Sequence, residues 1–296
     1  MSPRTLSHTT QVIKLNGERV TRTYTAEVIN TIEQGKNKSY NAVGMEFDLT
    51  FYGMDQEGLL NYRMEVKKRF LLNEKFSVIR NPNKAEKIAL KVAAINDVLE
   101  LKVDKSFKLN KIVNTQEVRQ KWRIIRADLL EESPDLIKMI SDFDWQLQDD
   151  NIQQVFLEDN FYQYFFANIY YQEFEPKKSI KHEKIAVNAV NNINIPIIEQ
   201  KKITKQDIGF TDIEITTEAE MDIDHQQFPL AKLNRFLGTL PTNIGDQHTL
   251  DFDYKGIYTI QPQKGLIVEG KLMYTFEVHD LYKKATTITF NLENNE

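Results

Sequence analysis

The chain has 296 residues, of which 41% are hydrophobic and 27% charged, and these values are ordinary for a globular protein that buries its own core. Its net charge of −5 argues against a dedicated nucleic-acid-binding domain, because such domains are more often basic. The absence of cysteine excludes thiol nucleophiles, iron–sulfur clusters and Cys-ligated zinc.

Residues 1–18 are predicted to be an N-terminal segment. They contain no apolar stretch of the kind found in a signal peptide. No window approaches the roughly 18 consecutive apolar residues of a membrane-spanning helix. We therefore expect a cytoplasmic protein without a membrane span, although a removed signal peptide would leave the same sequence. The abundance of Asn, Lys and Ile suggests a bacterial source.

Residues 19–176 are predicted to form an N-terminal β-rich unit that begins with a hairpin. Apolar residues alternate with polar ones on both sides of a turn at residues 35–38, and this is the period of half-buried strands. In a later strand Leu99, Leu101 and Val103 share one face. The further strands of this unit are predicted over residues 59–72, 87–94 and 98–103.

A helical insert is predicted over residues 114–166 of this unit. Asn114 or Thr115 is a favoured first residue, and apolar residues follow at helical spacing until Pro134 ends the helix. Ser133 and Pro134 are expected to start a second helix. The aromatic-dense stretch that follows, residues 151–174, is predicted to be partly helical and to turn into a strand.

Residues 177–296 are predicted to form a C-terminal β-rich unit with one short helix over 228–238. Its strands are predicted over residues 184–190, 193–205, 211–222, 248–260, 265–279 and 285–291. The fold class is therefore α+β and β-rich, with mostly antiparallel curved sheets, a few helices, and two similarly organised units. This order of elements is similar to that of curved half-barrel carriers of the LolA type, in which an antiparallel sheet wraps around helices. The resemblance lies in the order of strands and helices and includes no sequence motif, so it assigns a functional role to no residue.

Charge is distributed unevenly along the chain. Residues 61–126 hold 17 basic and 7 acidic side chains, whereas residues 131–160 hold 9 acidic and 1 basic. Opposed charged surfaces favour the steering of a protein partner. We therefore assign the run Lys67, Lys68 and Arg69 as a partner-binding basic patch, with a merely solvated strand face as the alternative.

The aromatic stretch carries the candidate ligand-lining residues. Rings that stand close together in sequence either line a cavity for an apolar molecule or fill the core. Both interpretations stay open at this point. The four residues are Phe161, Tyr164, Phe165 and Tyr170.

The sequence indicates no committed metal site. Carboxylates and imidazoles lie close together in two short stretches, and such side chains can ligate a divalent metal. The same spacing is typical of an acidic strand end or a turn. The weak candidates are Asp222, Asp224, His225 and His248, with Asp246 near the last.

No motif for catalysis or phosphate binding is present, because the 11 glycines are dispersed and form neither GxGxxG nor GxxxxGK[ST]. The sequence thus favours a non-enzymatic protein-interaction module without a cofactor, for example a bacterial immunity-type inhibitor or an accessory component of a larger assembly. One alternative is a carrier of a hydrophobic small molecule or lipid. A metal-assisted hydrolase is the other. The identity of the partner and the oligomeric state are left open.

Overall fold

The computed structural model describes residues 10–15, 18–176, 178–206, 212–241 and 248–293. Most of residues 1–18, as well as Asp246, lie outside the described residues. The strands are β1 (Gln11–Val12), β2 (Thr21–Gln34), β3 (Asn37–Met54), β4 (Leu60–Leu71), β5 (Val98–Val103), β6 (Leu109–Ile112), β7 (Glu173–Phe174), β8 (Ile180–Val190), β9 (Ile193–Gln206), β10 (Ile213–Met221), β11 (Asp251–Gln261), β12 (Leu266–Val278) and β13 (Tyr282–Leu292). The α-helices are α1 (Lys84–Ala93), α2 (Thr115–Glu132), α3 (Ile137–Gln146), α4 (Asp149–Leu157), α5 (Asn160–Phe165) and α6 (Leu230–Leu237).

The strands pair antiparallel, which confirms the predicted α+β, β-rich class. Eleven strands form one sheet in the order β6-β5-β4-β3-β2-β13-β12-β11-β10-β9-β8, and β1 pairs with β7. Neighbours in the large sheet are consecutive along the chain, except where β2 lies beside β13. None of the helices in the described residues combines the length and the apolar character needed to cross a membrane.

The chain divides into two compact units, each formed by segments that are separate in sequence. We call the first the β unit; its described part comprises residues 10–15, Ala26–Ala42 and Ile169–Leu292. We call the second the helical unit; its described part comprises residues 18–25, Val43–Asn168 and Glu293. The sequence-based boundary at residue 176 stays a prediction.

One predicted strand is wrong. Residues 87–93 form most of helix α1, and Ala94 begins the 3-10 turn that follows it, so this stretch is not a strand. Asn83 caps this helix, since its side chain accepts a hydrogen bond from N of Glu86 at 3.0 Å while the Glu86 carboxylate accepts one from N of Asn83 at 2.7 Å. The apolar residues Ile88, Leu90 and Val92 alternate, so this short stretch is compatible with the two-residue period of a strand as well as with the 3.6-residue period of a helix. The reciprocal hydrogen bonds between Asn83 and Glu86 favour the helix.

The helical insert is confirmed, with different ends. Asn114 precedes α2, but its side chain binds strand β5, accepting from N of Glu100 at 2.9 Å and donating to O of Val98 at 3.1 Å. The second helical stretch begins at Pro134 directly after Ser133, as predicted, and its first turn, residues 134–136, is a 3-10 turn that leads into α3. Asp159 separates α4 from α5, and its carboxylate caps α5 by accepting hydrogen bonds from two backbone N–H groups in the first turn.

The strands of the β unit alternate between a buried and an exposed side. We call the buried side of β8–β13 the inner face. It carries mostly aliphatic and aromatic side chains, whereas the opposite side is charged, which is the usual pattern of an antiparallel sheet with one packed face. Its fully buried apolar residues include Ile195, Ile215, Tyr258, Ile260, Phe276, Ile288 and Phe290.

Candidate functional site

The sheet of the β unit curls so that its far strands meet. In a flat sheet β8 and β13 would lie about 24 Å apart, since five strand spacings separate them. Lys284 at the start of β13 nevertheless donates a hydrogen bond to O of Asn188 in β8. The hydroxyl of Tyr282 likewise accepts one from N of Asn191, in the turn after β8, at 3.1 Å. The inner face is therefore enclosed within this unit, as the predicted curved sheet requires.

A buried ionic cluster lies on this enclosed face. The carboxylate of Glu199 on β9 lies 2.8 Å from the ammonium of Lys184 on β8 and 2.8 Å from that of Lys201, two residues further along β9. Its other oxygen accepts a hydrogen bond of 2.6 Å from the hydroxyl of Tyr254 on β11. Glu199 and Lys201 are both 0% exposed. We call these four residues the Glu199 cluster.

The electrostatics of the cluster follow from its burial. Burial lowers the pKa of Lys201 to about 8, although the neighbouring Glu199 opposes that shift. Burial alone would raise the pKa of Glu199, but the ammonium groups of Lys184 and Lys201 outweigh it and hold that pKa well below its usual range. The Lys201 ammonium also lies 5.9 Å from the ring centroid of Tyr258, within cation–π distance.

Basic groups outnumber acidic ones on the inner face. Among the described residues of β8–β13, this face carries the ammonium groups of Lys184, Lys201 and Lys284 and the imidazole of His182, and Glu199 is its one acidic residue. Burial lowers the pKa of Lys284 to about 8 as well. Buried charges are rare in apolar surroundings because their desolvation is costly. The inner face therefore has a specific chemical character that a plain core lacks.

The buried lysines predict an unusual dependence of stability on pH. Because the folded-state pKa values of Lys201 and Lys284 lie near 8, below the value of an unfolded lysine, the unfolded chain binds more protons between about pH 8 and pH 10. The free energy of unfolding should then rise with pH over this interval, by up to roughly 1.4 kcal/mol per pH unit for each lysine. Urea unfolding at several pH values measures this slope.

A matched pair of variants identifies the source of the slope. Lys201→Met should reduce it by about half, since Lys284 still contributes, whereas Lys202→Met, which changes the exposed neighbour on the opposite side of β9, should leave it unchanged. Above about pH 10 the buried Tyr24 and Tyr62, whose pKa values burial raises, oppose the trend, since they stay protonated only in the folded chain. A stability that is flat between pH 8 and pH 10 in the wild type would contradict the assignment.

The helical unit contains a polar cleft of about 600 Å³. Helix α2 lines it with three arginines, of which Arg126 donates a hydrogen bond of 3.0 Å to the carboxylate of Asp144 on α3. The same carboxylate accepts one of 2.8 Å from Nε1 of Trp122. Arg119 pairs with Asp149 at the start of α4. Ion pairs thus hold the three helices around the cleft.

The predicted basic patch is neutralised by its neighbours. Lys68 lies 2.6 Å from the Glu46 carboxylate across the β3–β4 pair. Lys67 occupies a register shift between these strands and contacts two carboxylates, at 3.3 Å and 3.0 Å. Arg69 is mostly buried and pairs with Asp97 at 2.8 Å. A role of this run in partner binding stays a prediction, and it would have to compete with these ion pairs.

The four candidate ligand-lining residues are all buried. Phe165 packs against the rings of Phe47 at 5.3 Å and Phe161 at 5.6 Å between centroids. Tyr164 and Tyr170 are among the most completely buried side chains of the described residues. The rings around Phe165 thus contact one another closely, which is the geometry of a packed core. The ligand-lining role of the four residues stays a prediction.

The structure gives the weak metal candidates no shared geometry. Asp222, Asp224 and His225 lie in the turn after β10, where Nδ1 of His225 accepts a hydrogen bond from N of Gln227 at 3.1 Å. No group of three or more His, Asp or Glu that could hold a metal ion occurs in the part of the chain that the structure describes. The hydrolase alternative, for which His248 is the remaining candidate, therefore gains no support here.

Sequence reasoning missed the Glu199 cluster, although a signal for it exists. Along β9 the residues at odd positions are Ile193, Ile195 and Ile197, followed by Glu199 and Lys201. When the side chains on one face of a strand change from apolar to charged, the buried part of the strand usually ends there. In β9 the curl of the sheet keeps this face buried beyond that point. The sequence signal for the cluster is therefore a pair of charged residues that continue the apolar alternation.

Comparison with known proteins gives likenesses in structure and none in sequence. No family model matches it, and no curated protein matches it. Among solved structures, lipovitellin, from work on its lipid–protein interactions, is similar over 93% of this chain and 25% of its own, with 8% identity and a TM-score of 0.43. The chain thus spans about a quarter of the lipovitellin chain.

Two further solved structures are similar over 93% of this chain. One is a domain from Vibrio parahaemolyticus that carries the name of a putative outer membrane lipoprotein-sorting protein; it has 10% identity, 87% of its own chain covered and a TM-score of 0.17. The other comes from work on asymmetric conductivity of engineered proteins, with 6% identity, 100% of its chain covered and a TM-score of 0.22. All these TM-scores lie below 0.5, so the likenesses carry no argument for fold or function.

Proposed function

We propose that the protein binds an apolar small molecule or lipid inside the curled sheet of the β unit. The observation that carries the proposal is the curl, because it encloses the inner face. Small-molecule sites are concave, mostly apolar and furnished with a few polar groups, and antiparallel sheets that close on themselves are able to hold one small ligand. The inner face combines these features within one unit.

The buried charged groups of the inner face, which a plain core lacks, support this function. The aromatic side chains of this face include Phe276, stacked on Phe252 at 4.5 Å, and Tyr258, whose ring lies 6.5 Å from that of another phenylalanine. The short helix α6 covers the start of β13 through Phe236, whose ring lies 5.0 Å from that of Tyr282. Helix α6 has eight residues, so it is a small covering element for six long strands.

A pair of tryptophan variants tests the proposal directly. Tyr274→Trp places an indole on the inner face of β12, and Met273→Trp places one on the opposite side, one residue away. A brominated long-chain alcohol quenches tryptophan fluorescence only at short range. We expect it to quench the Tyr274→Trp variant with saturation while the Met273→Trp variant stays at the level of the wild type.

The same titration is able to contradict the proposal. Circular dichroism first confirms that both variants are folded. Equal quenching of the two variants would indicate adsorption to the surface, and no quenching of either would show that the inner face takes up no apolar molecule. Native mass spectrometry of protein from its own cells adds an independent observation, since a carrier should retain ligand mass.

We also propose a second candidate function, the binding of a protein partner at the polar cleft of the helical unit. The observation in its favour is exposed apolar surface on the helices that line the cleft. Ile124 on α2 is 67% exposed, and Ile137 and Trp145 on α3 are 64% and 60% exposed. Aromatic residues and arginines are enriched at protein interfaces, and α2 and α3 expose one of each, Arg123 and Trp145.

Affinity capture with matched variants distinguishes this function from ligand binding. The double variant Trp145→Ala and Arg123→Glu should lose a partner that the wild type retains in stoichiometric amount. Tyr52→Ala, which removes an exposed ring elsewhere in the helical unit, should retain it. Retention by all three proteins would show that the cleft is not the interface.

A further inference from the structure

Resting on the proposed function, the charge of the Glu199 cluster bears on which apolar molecule the inner face selects. The cluster contains two ammonium groups and one carboxylate, so these groups carry a net charge of +1. Both ammonium groups lie at 2.8 Å from the same carboxylate oxygen. The excess positive charge of these groups would attract a negatively charged ligand group.

A neighbouring hydroxyl independently points to a polar ligand group. Thr217 of β10 stands directly opposite Lys201 in the β9–β10 register and on the same face. It is 1% exposed, and its hydroxyl has no hydrogen-bond partner among the described residues. Buried polar groups are nearly always hydrogen-bonded, and an exception calls for an explanation such as a missing partner.

The strand beside Thr217 leaves space for this arrangement. Gly256 of β11 is the register partner of Thr217, and a Cβ atom there would lie 2.4 Å from the Thr217 methyl group. A larger residue at this position would therefore push the Thr217 side chain away. The row Lys201, Thr217 and Gly256 thus brings an ammonium and a hydroxyl together on neighbouring strands, and the glycine accommodates the Thr217 methyl group.

We infer that the inner face selects an apolar ligand ending in a single negative charge, as a long-chain carboxylate does. Its carboxylate is bound by the ammonium of Lys201 and the hydroxyl of Thr217, while its chain lies along the aliphatic and aromatic residues of β11–β13. Charge-assisted hydrogen bonds are the strong ones in a dry environment. A singly charged group matches the +1 charge of the cluster better than a doubly charged phosphate monoester does.

The test compares a brominated long-chain carboxylic acid with the alcohol of the same chain length, using the Tyr274→Trp fluorescence. We expect the acid to bind at least about tenfold more tightly, because one added charge-assisted hydrogen bond is worth about that much. Lys201→Met should abolish the preference. Lys202→Met, which removes an exposed ammonium 3.5 Å from Glu218 on the opposite side of the sheet, should keep it.

A second variant protects the test against loss of folding in Lys201→Met. Thr217→Val is nearly isosteric, and we expect it to weaken binding of the acid several-fold and binding of the alcohol hardly at all. Equal affinity of acid and alcohol in the Tyr274→Trp protein without a further substitution would overturn this inference while the proposed function stands. A preference that survives both Lys201→Met and Thr217→Val would also overturn it. Binding of neither compound would contradict the proposed function itself.

Discussion

Glu199→Gln should destabilise the protein by about 3–5 kcal/mol at pH 7, the range measured when one partner of a buried ion pair is removed. The variant keeps the size of the side chain but leaves the ammonium groups of Lys184 and Lys201 close together without their shared carboxylate. Lys201 must then either stay charged in an apolar environment or release its proton, and both are costly. Urea unfolding followed by circular dichroism measures the loss.

Two further variants make this result specific to the cluster. Glu218→Gln removes an exposed carboxylate that pairs with Lys202 at 3.5 Å, and it should cost less than about 1 kcal/mol, as exposed pairs do. The double variant Glu199→Gln and Lys201→Met should recover much of the lost stability, because it removes the fully buried ammonium together with its carboxylate and leaves only the partly exposed Lys184. Equal losses for Glu199→Gln and Glu218→Gln would show that the cluster does not form.

Phe165→Ala should cost about 3–5 kcal/mol of stability, as large-to-small changes of buried aromatic residues do. Its ring contacts Tyr24, Phe47, Phe161 and Phe166 at 5.2 to 5.6 Å between centroids, so its removal leaves a cavity that these neighbours cannot fill without rearrangement. Thermal and urea unfolding of the variant measure the effect.

This variant also separates the two interpretations of the aromatic stretch. If Phe165 belongs to the packed core, the stability falls and binding of the brominated alcohol, measured below the unfolding transition, does not change. If it lines a ligand cavity, the affinity falls and the stability changes little. Tyr52→Ala is the control, because this ring is exposed and its loss should change the stability by about 0.5 kcal/mol or less.

Local periodicity predicts most of the fold correctly where an element is long and one of its faces is buried. Strand β5 shows this, since Leu99, Leu101 and Val103 are fully buried, as their alternation requires. The C-terminal strands are also predicted within a few residues of their observed ends. The strand prediction for residues 87–94 is wrong because a ten-residue helix has too few apolar residues to distinguish the helical period of 3.6 residues from the strand period of two.

The candidate sites depend on contacts between residues far apart in sequence, and periodicity does not predict these. Glu199 and Tyr254 are joined by a hydrogen bond across 55 residues, and Lys284 reaches β8 across 96. The basic patch depends on such contacts as well, because carboxylates outside β4 form ion pairs with Lys68 and Arg69. The sequence does not show which carboxylate pairs with which cation, since this depends on how the strands are aligned.

The position of β13 between β2 and β12 has a consequence for how the chain is made. Strand β2 ends at Gln34, and its neighbour β13 begins only at Tyr282, so nearly the whole described chain must leave the ribosome before this pairing forms. Contacts of such long sequence separation slow folding. Until then the facing edges of β2 and β12 lack a partner, and unpaired edges invite association with other chains. Synthesis of the single strand β13 removes both open edges at once.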